Sequence, residues 1–266
     1  MPEVEVAAPM TVYEKWALIL SIVAIVIPII QAVWKKWFVC AKLTYMPTGR
    51  GILYFNQSGS YLRIDGVYGS EHKSVYIKKI SAKITRKKDE QKLNLTWSSL
   101  ISPVNQSVVG NYMQTTESAH PFRIDADSVA CAFTEFADPY DSFGKKFKLT
   151  TEPLFSKIRK YQQENTEYST ALSDYKGSDE YQSAKQLLEK EFFWEIGKYD
   201  IDIEVLYGKK VKHFKCDFNV NEQENTMLIQ NIEESLLSPL KDCYRIGRNY
   251  SSALIEVHDN SATDNT

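Results

Sequence analysis

The sequence predicts a mainly β protein with additional helices, attached to a membrane by one N-terminal helix. Three observations support this fold class. The run from Trp16 to Trp34 contains 19 residues and no charge. From Ala41 onward, short segments rich in β-branched and aromatic residues recur with turn residues between them. A helical repeat interrupts these segments between Leu154 and Tyr175.

The apolar run is long enough to cross a bilayer. At ~1.5 Å per residue, a helix of this length spans roughly 28 Å, close to the ~30 Å hydrocarbon thickness. A secretory signal would begin with basic residues, whereas this N-terminus carries three glutamates and one lysine before the run. We therefore expect a retained transmembrane helix over residues 16–37, preceded by a tail over residues 1–15.

The residues that flank the apolar run predict its orientation. Aromatic side chains bracket the run, and two lysines follow it directly. Because basic residues tend to stay on the cytoplasmic side, we expect the N-terminus outside and the rest of the chain in the cytoplasm, at the cell inner membrane. The predicted interface anchors are Trp16, Trp34, Lys35, Lys36 and Trp37.

Three residues inside the run are candidates for contacts between helices. Pro28 lacks a backbone N–H and leaves the Ala24 carbonyl without its helical donor, which favours a kink. Ser21 and Gln31 are the polar side chains of the run, and small or polar residues mediate packing between membrane helices. Two alternatives stay open. Ser21, Pro28 and Gln31 form a contact or a narrow pore in an oligomer, or the helix is a lone anchor.

Residues 38–248 are predicted to form a cytosolic domain of about nine antiparallel strands. Apolar and polar residues alternate from Ile80 to Trp97 around a charged turn, which predicts one hairpin. The same alternation from Ile201 to Val220 predicts a second hairpin. Many short strands with one polar face are typical of a sandwich or a barrel. We expect an immunoglobulin-like or arrestin-like sandwich.

A helical insert is predicted between the two hairpins, over residues 152–196. Apolar residues recur at steps of four and three around the polar Asn165, as in a heptad repeat. Gly177 and Ser178 end this helix, and a second apolar stripe follows. We expect a two-helix hairpin whose seam either packs within the chain or joins subunits. The seam residues are Leu154, Ile158, Tyr161, Tyr168, Leu172, Tyr181, Leu188 and Phe192.

A C-terminal helix is predicted after the second hairpin. Asn221 and Glu224 have the spacing of a capping box, and apolar residues continue to Pro239. Beyond Arg248 the chain is polar, so we expect a disordered tail over residues 249–266.

Residues that carry catalysis or metal binding do not occur in recognised patterns. The four cysteines form no CxxC pair, and the four histidines show no metal-ligand spacing such as HExxH. The sequence contains no GxxxxGK[ST], GxGxxG or GxSxG motif. We expect no catalytic residue, no metal and no cofactor. An enzyme would instead need a pocket in which polar groups converge from distant segments.

Charged residues balance over the whole chain, with 32 Lys and Arg against 34 Asp and Glu, so a charged binding surface must be local. The densest basic segment surrounds the first hairpin. It is a candidate patch for an anionic ligand, such as anionic lipid or an oligonucleotide. The alternative is a solvated, lysine-rich sheet edge. The candidate residues are Lys78, Lys79, Lys83, Arg86, Lys87 and Lys88.

The layout resembles that of bacterial single-span membrane proteins with a cytosolic β-rich domain. The similar segments are FNQSGSYLRIDGVY (Phe55–Tyr68), the strand–turn–strand that ends at Trp97, and Phe133–Phe136. Proteins of this layout resemble the membrane effectors of anti-phage defence, such as the Hailong channel effector. The resemblance implies a cytosolic domain that senses a ligand and a span that assembles into a homo-oligomeric effector or channel. The alternative is a monomeric, membrane-anchored adaptor without channel activity.

Overall fold

The described chain contains eleven strands and five helices. A computed structural model describes residues 11–108 and 111–260, with side chains for all of these except 35, 36 and 102–115. The strands are β1 (Lys42–Asn56), β2 (Gly59–Glu71), β3 (Val75–Arg86), β4 (Gln91–Val108), β5 (Asn111–Ser118), β6 (Phe122–Ile124), β7 (Ser128–Cys131), β8 (Phe133–Ala137), β9 (Gly197–Tyr207), β10 (Lys210–Val220) and β11 (Ala253–Asp259). The helices are α1 (Val12–Trp37), α2 (Ser142–Gln163), α3 (Tyr168–Gly177), α4 (Asp179–Glu191) and α5 (Glu222–Cys243).

Eight of these strands form a closed antiparallel barrel. Their order is β4-β8-β2-β1-β11-β10-β9-β3, and the pairing of β3 with β4 closes the circle. The remaining strands flank the barrel, since β5 pairs with β4, β6 with β3 and β7 with β2. The predicted hairpins correspond to β3–β4 and β9–β10. The expected immunoglobulin-like or arrestin-like sandwich is not confirmed, because one sheet closes on itself instead of two sheets packing face to face.

Alternation along the strands fills the barrel with apolar side chains. On β3, Ile80, Ala82 and Ile84 are almost fully buried, and so are Ile201 and Ile203 on β9. Aromatic rings complete the filling; the rings of Tyr199 and Phe218, for example, stack with centroids 4.9 Å apart. Burial at this density supplies most of the stability of such a domain.

The chain after Arg248 was predicted to be a disordered tail, and for residues 253–259 that prediction is wrong. These residues form β11, which pairs with β1 on one side and β10 on the other. Ala253, Ile255 and Val257 are buried inside the barrel and alternate with exposed residues. The barrel could not close without this strand. Residues 1–10 and 261–266, which belong to the two predicted tails, lie outside the described residues.

The insert contains three helices, α2, α3 and α4, where two were expected. The first helix begins at Ser142, ten residues before the predicted insert, and the heptad pattern does not continue through Asn165. Asn165 has a φ of 48°, in the left-handed region that asparagine tolerates better than most residues. This conformation ends α2, and the chain starts again as α3.

Helix α5 begins with the predicted capping box. The Asn221 side chain accepts a bond from the Glu224 backbone N–H at 2.9 Å, and the Glu224 carboxylate accepts one from the Asn221 N–H at 2.7 Å. The helix continues through Pro239 to Cys243. Pro239 has no N–H to donate to the Ser235 carbonyl, and the Ser238 hydroxyl donates to that carbonyl instead, at 3.1 Å. This substitute donor helps the helix to tolerate its proline.

The barrel has two different ends. The strand directions place the start of β1, the end of β9 and the start of β10 at one end, which we name the open end. The Lys212 ammonium donates to the Leu43 carbonyl at 2.7 Å and joins β10 to β1 there. The helices α2–α5 all connect strands at the opposite end, which we name the capped end.

Candidate functional site

Helix α1 is the first candidate functional element. Thr11 and Glu14 form a capping box at its start. The segment Val12–Trp34 is long and apolar enough to cross a membrane, and its most hydropathic window is 0% buried. An apolar helix in a core would bury one stripe of its side chains against the rest of the chain. The apolar surface of α1 is therefore left for lipid or for another molecule.

The predicted anchors and contact residues are arranged along α1 as follows. Trp16, Trp34 and Trp37 are 61%, 60% and 74% exposed, while the side chains of Lys35 and Lys36 lie outside the described part of the chain. The Ser21 hydroxyl donates to the Ala17 carbonyl at 2.9 Å, so this polar group is satisfied within the helix. Pro28 lies two turns from Ser21, and Gln31 lies about one turn beyond Pro28. The three therefore share one side of α1.

The outer face of β3 carries the predicted basic patch. Lys79 and Lys83 point outward because they alternate with the buried apolar residues of this strand, and Lys87, in the turn directly after it, is also exposed. A register shift between Ile77 and Lys79 also leaves Lys78 exposed. The patch residues on β3 thus form an outward row.

The neighbouring strand β9 faces this lysine row with carboxylates. Asp202 lies directly opposite Lys83, and Asp200 and Glu204 flank it on the same outer face. Lys87 pairs with Asp200 at 2.9 Å, and Lys88 pairs with Glu195 at 3.4 Å.

These pairs change the electrostatics of the predicted patch. The bond to Asp200 raises the pKa of Lys87. Lys79 and Lys83 make no ion pair with any described residue. Phosphates approaching the lysines would also meet the carboxylates of β9. The surface is therefore of mixed charge and not uniformly basic.

Two cavities lie along this mixed surface, and we name them together the polar groove. Their volumes are about 520 and 370 Å³, and both are lined by Lys83 and Asp202. His213 on β10 binds Asp202 at 2.9 Å and closes one side of the groove. Hydroxyl and amide groups complete the lining, from Ser81, Thr85, Asn94 and Thr96.

Arg86 does not belong to the anionic-ligand patch, and its prediction as a patch residue is wrong. Its side chain is 4% exposed because Arg86 continues the inward series of Ile84. The guanidinium donates to Asp89 at 2.7 and 3.0 Å and to the Phe193 carbonyl at 3.0 Å, and it pairs with Glu195 at 3.1 Å. The hydrogen bonds from Arg86 to Asp89 lower the pKa of that carboxyl to about 2. Arg86 closes the capped end of the barrel.

Most of the seam of the insert is buried within the chain. Leu154, Ile158 and Tyr161 on α2 are at most 6% exposed, and Tyr181 and Leu188 on α4 are at most 4% exposed. These residues pack in one continuous core with the barrel. Tyr168 and Leu172 are only partly buried against that core. Most of the seam therefore packs within the chain, and a role of the seam between subunits stays a prediction.

The described residues contain no group of three or more His, Cys, Asp or Glu side chains that could hold a metal ion. Cys216 lies inside the barrel, where burial raises the pKa of its thiol to about 12 and keeps it protonated. Cys40 and Cys131 are exposed.

The acidic row on β9 was the part of the site that sequence reasoning missed. The alternation of Asp200, Asp202 and Glu204 with apolar residues indicated an outward polar face. It did not indicate which strand would lie beside that face. The partner is β3, more than a hundred residues earlier in the chain, and only the closed barrel brings the two rows together.

Comparisons with known proteins give no assignment. No protein-family model and no curated protein sequence matches this chain. One solved structure with similarity to it is a family 123 glycoside hydrolase from Clostridium perfringens, at 10% identity and a TM-score of 0.29. The match covers 68% of this chain and 27% of the hydrolase, so the chain spans about a quarter of that protein's length.

Proposed function

We propose that this chain is a non-enzymatic, single-span membrane protein that holds a barrel-shaped binding domain at the cytoplasmic surface of the cell inner membrane. The supporting observation is the unburied apolar surface of α1. Lipid is the solvent that such a surface requires. The basic pair Lys35 and Lys36 after the span supports an external N-terminus and a cytoplasmic barrel.

The polar groove is the proposed binding surface of the cytoplasmic domain. Lys79 and Lys83 of the groove form no ion pair with a described residue, and the acidic row of β9 lies beside them. Together they favour a ligand that carries both signs of charge, such as a segment of another protein. An oligonucleotide fits less well, because its phosphates would meet Asp200, Asp202 and Glu204.

The proposal extends to assembly of the span into an effector or channel, as in the anti-phage defence proteins that the layout resembles. The shared side of Ser21, Pro28 and Gln31 supports a contact between copies of α1. Because most of the insert seam is buried, we assign this contact to α1. The competing function is a monomeric adaptor with the same anchor.

Topology is tested by cysteine labelling of the full chain in intact cells. Cys40 lies three residues after α1 and is exposed. In a variant that retains Cys40 and has serine at the other three cysteines, we expect a membrane-impermeant maleimide to label the thiol only after lysis. A matched cysteine-free variant that carries Thr11→Cys, before the span, should be labelled in intact cells. Labelling of Cys40 from outside would overturn the orientation.

Assembly is tested in cells that express the full chain and on the protein extracted from their membranes. We expect induced expression of the wild-type chain to collapse the membrane potential and to give an oligomer in mild detergent. Replacing Gln31 with leucine should weaken both effects, whereas the control Ile30→Leu, on another side of α1, should weaken neither. A wild-type chain that is monomeric and leaves the potential intact would reject the effector and leave the anchored adaptor.

A further inference from the structure

A cluster of lysines and apolar side chains lies at the open end of the barrel, apart from the polar groove. The turn between β9 and β10 carries Lys209 and Lys210, and the Gly208 N–H donates to the Tyr76 carbonyl at 3.1 Å. That bond places the exposed Tyr76 beside the turn, with Lys78 two residues further along β3. We name this cluster the open-end patch; it consists of Tyr76, Lys78, Lys209, Lys210 and Val211.

The chain path holds the open-end patch close to the end of α1. Four residues separate Trp37 from Lys42, and the five Cα–Cα steps between these two residues span at most ~18 Å when extended. The Lys212–Leu43 bond ties β10 to the second residue of β1, and Lys210 lies two strand residues, or ~7 Å, further toward the open end. If α1 crosses the membrane, the patch is within reach of the lipid headgroups.

Charge and side-chain type at the patch fit such a surface. Lys78, Lys209 and Lys210 are exposed and form no ion pair with any described residue. Tyr76 and Val211 are 49% and 50% exposed, and an exposed tyrosine beside lysines is typical of the interfacial region of a bilayer.

The nearby carboxylates at the open end are already engaged. Glu71 pairs with Lys42 at 2.9 Å, and Asp125 pairs with Arg123 at 2.9 Å. Asp127 accepts the His72 N–H at 2.7 Å, and Asp259 also has a partner. The lysines of the patch are therefore left to attract an external anion.

We infer that the open-end patch binds the anionic headgroups of the membrane in which α1 is anchored, and so fixes the barrel against the bilayer with its capped end away from it. The inference rests on the proposed membrane anchoring. It divides the predicted basic residues into two groups: Lys78 faces lipid, whereas Lys79 and Lys83 belong to the groove.

Lysine acetylation of the full chain in lipid nanodiscs tests this inference. The probe is a water-soluble acetylating ester, and mass spectrometry reports the modification rate of each lysine. One set of discs contains only phosphatidylcholine, and the other also contains anionic phosphatidylglycerol. Attraction to an anionic surface favours the headgroup-bound state of a nearby lysine by about fivefold. A bound lysine is shielded from the ester, so we expect Lys78, Lys209 and Lys210 to react about fivefold more slowly in anionic discs. The exposed Lys148 and Lys190 of the capped end should react equally in both.

Charge reversal separates the patch from general electrostatics. In the double variant Lys209→Glu and Lys210→Glu, the remaining Lys78 should lose its protection in anionic discs. The matched double variant Lys148→Glu and Lys190→Glu changes net charge equally and should keep it. High salt should also remove the protection, because the screening length falls from ~10 to ~3 Å between 0.1 and 1 M.

The possible failures are distinguishable. A chain that alkaline carbonate extracts from membranes would reject the proposed anchoring, and the inference would fall with it. An inserted chain whose lysines react equally in both kinds of disc would reject the inference alone. Equal loss of protection in the two charge-reversal variants would also reject it, because the effect would then come from net charge.

Discussion

The two ends of the barrel differ in what covers them: packed helices at the capped end and exposed turns at the open end. At the capped end, helices α2, α4 and α5 and the segment between α4 and β9 cover the barrel. Their side chains Leu188, Leu236 and Trp194, for example, are fully buried. At the open end, exposed turns such as Gly208 and Lys209 connect the strands directly. The difference indicates that the capped end contributes the larger share of stability, whereas the open end is free to contact a surface.

Of the substitutions that test this difference between the two ends, truncation of Trp194 should reduce the free energy of unfolding most. The indole is fully buried at the capped end, and its N–H donates to the Tyr54 carbonyl at 3.2 Å. We expect Trp194→Ala to reduce the free energy of unfolding by about 3–5 kcal/mol, measured by urea denaturation. The control Ile196→Ala, at a 52% exposed position two residues away, should change it by less than about 0.5 kcal/mol. Equal effects at both positions would contradict a packed cap.

Replacing the buried Arg86 should give the next largest loss of free energy of unfolding, and this loss should depend on pH. Replacing Arg86 with methionine removes its bonds to Asp89 and the Phe193 carbonyl, and we expect a loss of about 1.5–3 kcal/mol at neutral pH.

The pH dependence follows from Asp89. Its pKa is about 2 in the folded chain, against 3.8 in the absence of the bond, so this carboxylate stabilises the fold above about pH 4. As the pH falls from 4 toward 2, Asp89 becomes protonated and the wild-type advantage over Arg86→Met should shrink. Urea denaturation at several pH values measures this, with Lys88→Met as the exposed control. If the stability advantage of the wild type over Arg86→Met increased as the pH fell, a stabilising pair between Arg86 and Asp89 would be contradicted.

The smallest change in stability is expected for a substitution in the β9–β10 turn at the open end. Gly208 has a φ of 56°, and a Cβ there would meet no atom within 4 Å, so an alanine would add backbone strain without a clash. We expect Gly208→Ala to destabilise the chain by about 1 kcal/mol. Gly177→Ala, at the end of α3 and without positive φ, is the matched control and should be neutral or stabilising. Thermal unfolding of the two variants compares them directly, and equal signs would argue against a strained turn.

Local patterns predicted the local elements of this fold. The alternation around Ile80 and Ile201 predicted the two hairpins, and the spacing of Asn221 and Glu224 predicted the start of α5. These features depend only on residues close in sequence.

Features that depend on distant pairing were not predictable in the same way. The sandwich was expected because alternation indicates a half-buried strand but does not name its neighbour. The alternation that buries Ile84 would have placed Arg86 inside as well, yet its charge favoured a surface interpretation. Its partners come from Asp89 and from the distant Glu195. Asn165 was treated as a polar heptad position, although asparagine also tolerates the left-handed backbone that ends α2.

The closure of the barrel by β11 affects how the chain can fold during synthesis. Arg50 of β1 lies opposite Glu256 of β11, about 200 residues later. At ~5–20 residues per second, a ribosome needs about 10–40 s to make the intervening chain. During that time one edge of β1 has no strand to pair with, and this edge begins a few residues after α1. A nascent chain in this state would be open to incorrect strand pairing, so chaperones and the rate of translation should influence the yield of folded protein.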